Sequence, residues 1–256
     1  MPDIARRIIY PILPFFLVMS VWVWAADRSL FPAYVLPSPV LVIERLTTTI
    51  PEMAWHSLVT VYEVLCGFLL AIMVGISLAW LIAYVRPFEQ AFYPWLIFIQ
   101  VLPKVALGPL LVVWVGVGFL PKVLVSFLLA FFPIMIDTLS GLQSVQRDSI
   151  FLLRSMGAKP LKSFWYFHLP HALPHIFASL KVAITFAVVG AVVGEFIGAD
   201  EGLGYVLIVS TGSLDTVLMF VALIWTSALS MILYALIVAI ERCFISWHSS
   251  LRREYG

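Results

Sequence analysis

Long apolar stretches dominate the chain from end to end. Three of them contain no charged residue, and three more contain one or two charges. In chain order these six stretches are residues 8–26, 64–85, 91–117, 123–142, 176–198 and 216–240. Each is long enough for a helix that crosses the roughly 30 Å hydrocarbon core of a bilayer. Because lipid satisfies no free backbone N–H or C=O group, the pattern predicts an all-α integral membrane protein with six transmembrane helices.

The composition strengthens this prediction. Hydrophobic residues make up 62% of the 256 residues and charged residues only 11%, whereas soluble domains have about 45–50% apolar and about 25% charged residues. This composition excludes a secreted domain, a disordered chain and a nucleic-acid-binding protein. The net charge of +1 is too small to suggest a polyanionic partner.

Basic residues predict the orientation in the membrane. If the N-terminus is cytoplasmic, ten Lys and Arg residues fall on the inside and three on the outside, not counting Lys104 and Lys181 within the spans. This bias places both termini in the cytoplasm. The first stretch is longer than the apolar core of a typical signal peptide, about 7–15 residues, which favours an uncleaved helix.

Two connections between the spans are longer than turns. The outer one runs from Asp27 to about Ser57, and Pro37 and Pro39 predict the start of a short helix at the membrane surface. The inner one covers about residues 143–175. We therefore expect a single transmembrane domain over residues 1–256, without a separate soluble domain.

The chain contains no motif for its own nucleotide or metal chemistry. It has no P-loop, so any ATP must be bound by a partner. The two cysteines support neither a disulfide framework nor a zinc site. Among residues 168–175 three histidines occur, but prolines interrupt their helical spacing, so we expect no metal.

The inner connection has the pattern of two short helices outside the bilayer. Apolar residues recur at helical spacing at Ile150, Leu153 and Met156. Gly157 suits the end of the first helix and Pro160 the first turn of the second, which Pro170 would end. The apolar stripe fits either a partner surface or the lipid headgroups, and the pattern alone does not decide between them.

Around this loop the sequence resembles the permease subunits of binding-protein-dependent ABC importers. Their cytoplasmic signature is E-A-A-x3-G-x9-I-x-L-P, and here Gly157 is followed by nine residues and then Phe167, His168, Leu169 and Pro170. Residues 154–158 and 169–174 resemble the family's R-S-L-G-A and L-P-x-A-L-P. Residues 194–199 and 202–205 resemble its stretch before the last span. Gln100 and residues 103–106 resemble a motif of the nitrate, sulfonate and taurine branch.

The resemblance implies the type I ABC importer permease fold, with short cytoplasmic coupling helices. It also implies a bacterial inner-membrane location, a second permease copy, two ATP-binding cassette subunits and a soluble substrate-binding protein. ATP and Mg²⁺ would bind to the ATPase partner, and this chain would hold no cofactor and catalyse no reaction. The residues expected to couple to the ATPase are Ile150, Phe151, Leu153, Arg154, Met156, Gly157, Ala158, Leu169 and Pro170. The chain departs from the family where Phe151, Leu152 and Leu153 replace the E-A-A triplet.

Polar residues within the spans are candidates for the translocation path or gate, because burying a charge in the bilayer is costly. Gln100 and Lys104 are four residues apart and would share one helix face. Pro103 and Pro109 flank Lys104 and predict a bent or broken third helix.

Asp137 lies near the inner end of its span and could pair with Lys181. Glu195 ends the fifth span at the outer side, where the resemblance places the outward gate. A further acid, Glu63, is expected near the outer interface.

The residues leave the substrate open. The branch transports nitrate, taurine and other sulfonates, or precursors such as the thiamine pyrimidine, and the region 176–241 leans slightly towards a small organic molecule. A stand-alone secondary carrier is the alternative, but it would need deep ion-coupling acids and usually internal repeats. A membrane-embedded enzyme would need a cluster of catalytic residues, and the three histidines among residues 168–175 are the only candidates for such a cluster in the sequence.

Overall fold

A computed structural model describes residues 2–144 and 164–245. Within these two ranges every regular element is helical, which confirms the all-α prediction for this part of the chain. In chain order the α-helices are α1 (Pro2–Asp27), α2 (Pro39–Thr48), α3 (Ile50–Tyr84), α4 (Arg86–Val101), α5 (Gly108–Val115), α6 (Phe119–Gln143), α7 (Leu169–Glu195), α8 (Leu203–Gly212) and α9 (Thr216–Phe244). A 3-10 turn (Lys104–Leu107) joins α4 to α5, and a π-helical turn (Phe164–His168) leads into α7.

Four predicted spans correspond to single long helices. By length and composition, α3, α6 and α9 are each able to cross a membrane, and so is the stretch Tyr166–Glu195, which contains α7. Helix α3 begins at Ile50, well before the predicted start at residue 64. The charge-free run stops at Glu63, but the helix continues through this acid because its side chain is buried.

The third predicted span, residues 91–117, is two helices. Segments Pro87–Val101 and Lys104–Val115 meet at an angle of 88°. Pro103 lies at the break, and Pro109 lies in the first turn of α5, where a proline needs no N–H partner. The break predicted from these prolines is therefore confirmed. Counted as one broken span, the pair brings the number of candidate spans in the described residues to five.

The first predicted span lies on α1. The apolar segment described there, Phe16–Asp27, is shorter than the length that a helix needs to cross a membrane. The six-helix count is thus not confirmed. Trp22 connects α1 to the rest of the chain. Its indole Nε1 donates to the backbone oxygen of Pro37 at 3.1 Å, and its ring lies 5.3 Å from that of Phe220 in α9. The predicted short helix after Pro37 is present as α2, which begins at Pro39.

Helix α6 is the centre of the bundle, packed between α3 and α7. Ser126 of α6 is fully buried, and its hydroxyl donates to the backbone oxygen of Ala187 in α7 at 3.0 Å. Gly67 of α3 and Gly190 of α7 approach Ser126 from two sides. A Cβ added at either glycine would lie 2.6 Å from Ser126 atoms. Glycine thus lets three backbones meet, as is common in membrane helix packing.

The contact between α6 and α7 extends over almost their whole length. At one end, a Cβ on Gly194 would lie 2.8 Å from the Cα of Lys122, and at the other, a Cβ on Gly141 would lie 2.8 Å from the Cβ of His175. Gly190 and Gly194 form a G-x-x-x-G motif, which packs against α6 within one subunit. Since both helices run antiparallel in close contact, they form one stiff pair.

We expect Gly190→Ala to lower the thermal stability of the detergent-solubilised protein, because the new methyl group overlaps the backbone of Ser126. Overpacking of this kind costs about 1–3 kcal/mol, against a helix-propensity gain of about 1 kcal/mol. The matched control is Gly212→Ala, where a Cβ meets nothing within 4 Å. Equal melting midpoints for the two variants would show that the three-helix contact is loose.

Candidate functional site

Most of the predicted ATPase-coupling residues lie outside the described part of the chain. These are Ile150, Phe151, Leu153, Arg154, Met156, Gly157 and Ala158, whose coupling role remains a prediction. Leu169 and Pro170 are described and form the first turn of α7. The expectation that Pro170 ends a short cytoplasmic helix is wrong, because the π-helical turn Phe164–His168 leads directly into α7 and Pro170 lies in its first turn. Helix α7 continues through Pro174, and the next residue, His175, packs against Gly141 of α6.

Gln100 and Lys104 do not share one helix face as predicted, because α4 ends at Val101 between them. Instead Lys104 folds back, and its Nζ donates to the backbone oxygen of Gln100 at 3.1 Å. The same Nζ lies 4.5 Å from the ring centroid of Phe132 in α6. This cation–π contact places the charge of Lys104 against the central helix at the break in the third span.

The predicted pair between Asp137 and Lys181 is wrong. Lys181 of α7 bonds instead to Glu241 near the end of α9, with Nζ 3.0 Å from Oε2 and 3.1 Å from Oε1. Asp137 is half-buried on α6. The partner of Lys181 is 60 residues away in sequence, and only the packing of α9 on α7 brings it within reach.

Glu195 lies at the end of α7 and is 1% exposed. The basic-residue bias predicts that this end of the bundle faces outward, and we call it the outer end. The Oε1 atom of Glu195 accepts a hydrogen bond from the Thr60 hydroxyl of α3 at 2.7 Å. Its Oε2 accepts a hydrogen bond from the backbone N–H of Gly204 in α8. One carboxyl group therefore connects three helices.

Three consecutive backbone N–H groups at the start of α8, those of residues 202–204, bond to side chains of other helices. Besides Gly204, the N–H of Leu203 donates to Thr60 Oγ1 at 2.9 Å, and the N–H of Gly202 donates to His56 Nδ1 at 3.1 Å. The opening amides of a helix have no partner within the helix, and they carry partial positive charge. A carboxylate, a hydroxyl and an imidazole from α3 and α7 thus cap α8 from outside.

Glycine is required in the α8 turn for steric and conformational reasons. Gly202 has φ +120°, and a Cβ there would overlap the Glu195 carboxyl group. A Cβ on Gly204 would lie 2.6 Å from the backbone oxygen of Val192. The G-L-G sequence at 202–204 therefore allows α8 to lie directly against the carboxyl group that caps it.

A buried ion pair lies beside this cap. Lys122, at the start of α6, is 8% exposed, and its Nζ lies 2.8 Å from Oε1 of Glu63 in α3, which is 1% exposed. Thr60, which donates to Glu195, lies about one helical turn before Glu63 on α3, so the ion pair is adjacent to the cap. We call His56, Thr60, Glu63, Lys122 and Glu195 the outer cluster. It ties α3, α6, α7 and α8 together at one end of the bundle.

Most of the outer cluster does not stand out in the sequence. Lys122 is one of the three basic residues assigned to the outer side, and Glu63 is expected near the outer interface, although both side chains are buried. One signal was available, because His56, Thr60 and Glu63 are spaced by four and three residues and so share one face of α3. Within the described residues, no group of three or more His, Cys, Asp or Glu side chains could hold a metal ion.

The family model for "binding-protein-dependent transport system inner membrane component" matches residues 67–245. The riboflavin transport system permease protein RibX of Chloroflexus aurantiacus is 36% identical, over 93% of this chain and 90% of its own. The formylaminopyrimidine transport permease protein ThiX of Halalkalibacterium halodurans is 35% identical, over 93% and 95%. A chain of the inward-facing MetNI methionine ABC transporter shares the fold with a TM-score of 0.63 at 18% identity, covering 75% of this chain and 97% of its own.

Replacing Lys122 by methionine should destabilise the protein by about 3–5 kcal/mol, because Glu63 then remains buried without its counter-charge. The double variant Glu63→Gln/Lys122→Met removes both charges and should recover most of the loss. Thermal unfolding in detergent measures both effects. If Lys122→Met unfolded like the wild type, the ion pair would contribute nothing to the outer end.

Proposed function

We propose a transport cycle from the premise that the chain belongs to the family of binding-protein-dependent transport system inner membrane components and is the permease of an ABC importer for a small solute. This membership supports an ABC permease over a stand-alone carrier. In the cycle, two copies of the permease pair around a path. Two ATPase subunits bind to the cytoplasmic loops of the two copies, one subunit to each loop. A soluble binding protein delivers the solute on the outside.

Connectivity supports the proposed coupling. The loop with the predicted coupling residues connects α6 to α7, and the far ends of these two helices contribute Lys122 and Glu195 to the outer cluster. Helices of 25 and 27 residues span about 37–40 Å. Because glycine contacts join the two helices along their length, a displacement of the loop moves their outer ends as a unit. The close glycine contacts between α6 and α7 are the observation that carries the proposal.

The outer cluster then acts as the outer seal. In the structure, the hydrogen bonds from α8 to Glu195, Thr60 and His56 hold α8 against the bundle. Opening outward separates α8 from α3 or α7, and these bonds must break or be exchanged for bonds to water. ATP binding to the partner supplies the free energy by favouring the outward-open state, and hydrolysis returns the permease to the sealed state.

The membrane topology is also part of the proposal. We infer six spans, with α1 as the first and the broken pair α4–α5 as the third. Both termini lie in the cytoplasm of a bacterial cell, according to the bias of basic residues. Lys104 lies at the break of the third span and is half-buried over Phe132, and we place it on the path together with Gln100.

The solute belongs to one of two chemical classes. RibX and ThiX are named for riboflavin and a formylaminopyrimidine, which are nitrogen heterocycles. The resemblance to the nitrate, sulfonate and taurine branch keeps small anions as the second class.

Disrupting the coupling loop should separate the permease from its ATPase. Gly157→Pro, or deletion of residues 150–156, should abolish uptake and co-purification of the ATPase, since both alter the proposed docking helices. Membrane insertion should be unchanged, because the loop is outside the spans. Gly157→Ala is the matched control and should retain the partner. Undiminished ATPase recovery with Gly157→Pro and with the deletion would refute docking at this loop.

Lys104→Gln should change solute uptake more than assembly, because it removes the charge at the break in the third span and leaves the packing of α6 against α3 and α7 intact. Lys104→Arg keeps the charge over Phe132 and serves as the control. Initial uptake rates over a series of solute concentrations measure the effect, and recovery of the permease–ATPase complex reports assembly. Kinetics of Lys104→Gln equal to the wild type would remove Lys104 from the path.

A further inference from the structure

An open groove of about 710 Å³ lies between α7, α8 and α9. Its α7 wall consists mainly of valines, among them Val188, Val189 and Val192, with Phe196 just beyond the helix. Leu207 of α8 lies between the two walls. Ligand pockets in proteins typically have volumes of about 300–1,000 Å³, so the groove has room for a small organic molecule.

The α9 wall is different, because it carries hydroxyl groups. Residues 217–245 include four hydroxyl-bearing side chains, and all four line the groove: Thr226, Ser227, Ser230 and Tyr234. The other exposed residues in the middle of α9 are apolar, such as Ile224 and Ile232. A surface that only faced lipid tails would gain nothing from hydroxyl groups gathered on one stripe.

Several of these hydroxyl groups present oxygen lone pairs to the groove. Thr226 donates its proton to the backbone oxygen of Ala222, and Ser227 donates to that of Leu223, both at 2.8 Å. On the opposite wall Thr185 donates to the backbone oxygen of Val182 at 2.7 Å. With their protons engaged, these three oxygens act as acceptors, and they match N–H donors of a ligand.

None of the described residues that line the groove is charged. A nitrate ion, or the sulfonate group of a molecule such as taurine, has only acceptor oxygens, so it would face acceptor oxygens and valines without a counter-charge. Leaving an ion in such a place is strongly unfavourable. A flat, uncharged heterocycle with N–H groups fits better, because its ring faces can pack on the valines and Phe196 while its N–H edge meets the hydroxyls.

Resting on the proposed transport function, we infer that this groove binds the transported solute, and that the solute is an uncharged nitrogen heterocycle bearing N–H donors. The groove is directly linked to the outer seal. Val192 lies on its wall, and the backbone oxygen of Val192 is where Gly204 of α8 makes its close approach. Movement of α8 at the seal therefore changes the groove, which couples opening to solute contact.

The test uses the reconstituted complex of permease, ATPase and binding protein in proteoliposomes. The probes are riboflavin, a formylaminopyrimidine and taurine. Thr226→Val/Ser230→Ala removes two hydroxyls with little change in shape, and Ser227→Phe fills the groove. The matched controls are Ser20→Ala and Ser20→Phe, at an exposed hydroxyl of α1 outside the groove.

We expect ATP-dependent uptake of at least one heterocycle and none of taurine. Loss of two hydrogen bonds should lower kcat/KM for the heterocycle about tenfold or more, and Ser227→Phe should nearly abolish uptake while the controls retain it. Melting midpoints and ATPase co-purification identify variants that fail to fold or to assemble. If Ser227→Phe fails in this way, the uptake measured with Thr226→Val/Ser230→Ala decides the result.

Three results would overturn the inference. One is uptake of taurine in preference to both heterocycles, or of no heterocycle, since the solute class would then be wrong. Another is heterocycle uptake that is unaffected by the groove variants. The third is separation of the two permease copies by Ser227→Phe, which would show that a second copy covers the groove. Heterocycle uptake that depended on the groove but needed no ATPase would instead refute the proposed function and leave the groove assignment intact.

Discussion

Helix α8 begins in a place where water cannot satisfy its first backbone amides, and this constraint determines the outer end of the molecule. An unpaired N–H costs several kcal/mol in the bilayer. Glu195, Thr60 and His56 provide the missing acceptors, so α8 is held in place by α7 and α3. Burying Glu195 in turn depends on Gly202 and Gly204, which let the backbone reach its carboxyl group. The Lys122–Glu63 pair adds a link to α6, so that all four helices meet at one point.

The same arrangement underlies the proposed coupling of this permease to a partner ATPase. The predicted coupling loop connects α6 to α7, and these two helices are joined by glycine contacts from Gly141 to Gly194. A stiff pair of this kind carries a displacement instead of absorbing it. The proposed seal consists of a few hydrogen bonds and one ion pair, so its open and closed states can differ little in free energy. A partner that binds one state more tightly then shifts the equilibrium towards that state.

Much of the fold could be predicted from the sequence, because hydrophobic run length alone identifies helices that must cross lipid. The prolines around Lys104 correctly indicated a broken third span, since proline lacks the N–H that a helix requires. The pairing of charges could not be predicted. Lys181 bonds to Glu241 and Lys122 to Glu63, each about 60 residues away, and the choice depends on which helices pack together. The coupling residues rest on the family motif, and the hydroxyl stripe of α9 acquires a meaning only once α7 lies opposite it.

The claim that the outer seal must open during transport can be tested most directly by locking it. His56 of α3 and Tyr205 of α8 have ring centroids 6.0 Å apart. Cysteines at these two positions, with Cys66 and Cys243 replaced, can be joined by a short reducible cross-linker in the reconstituted complex. The measurement is ATP-driven solute uptake before and after reduction. Uptake should be absent while the cross-link is intact and return once it is cleaved. Undiminished uptake through a cross-linked outer end would contradict the account.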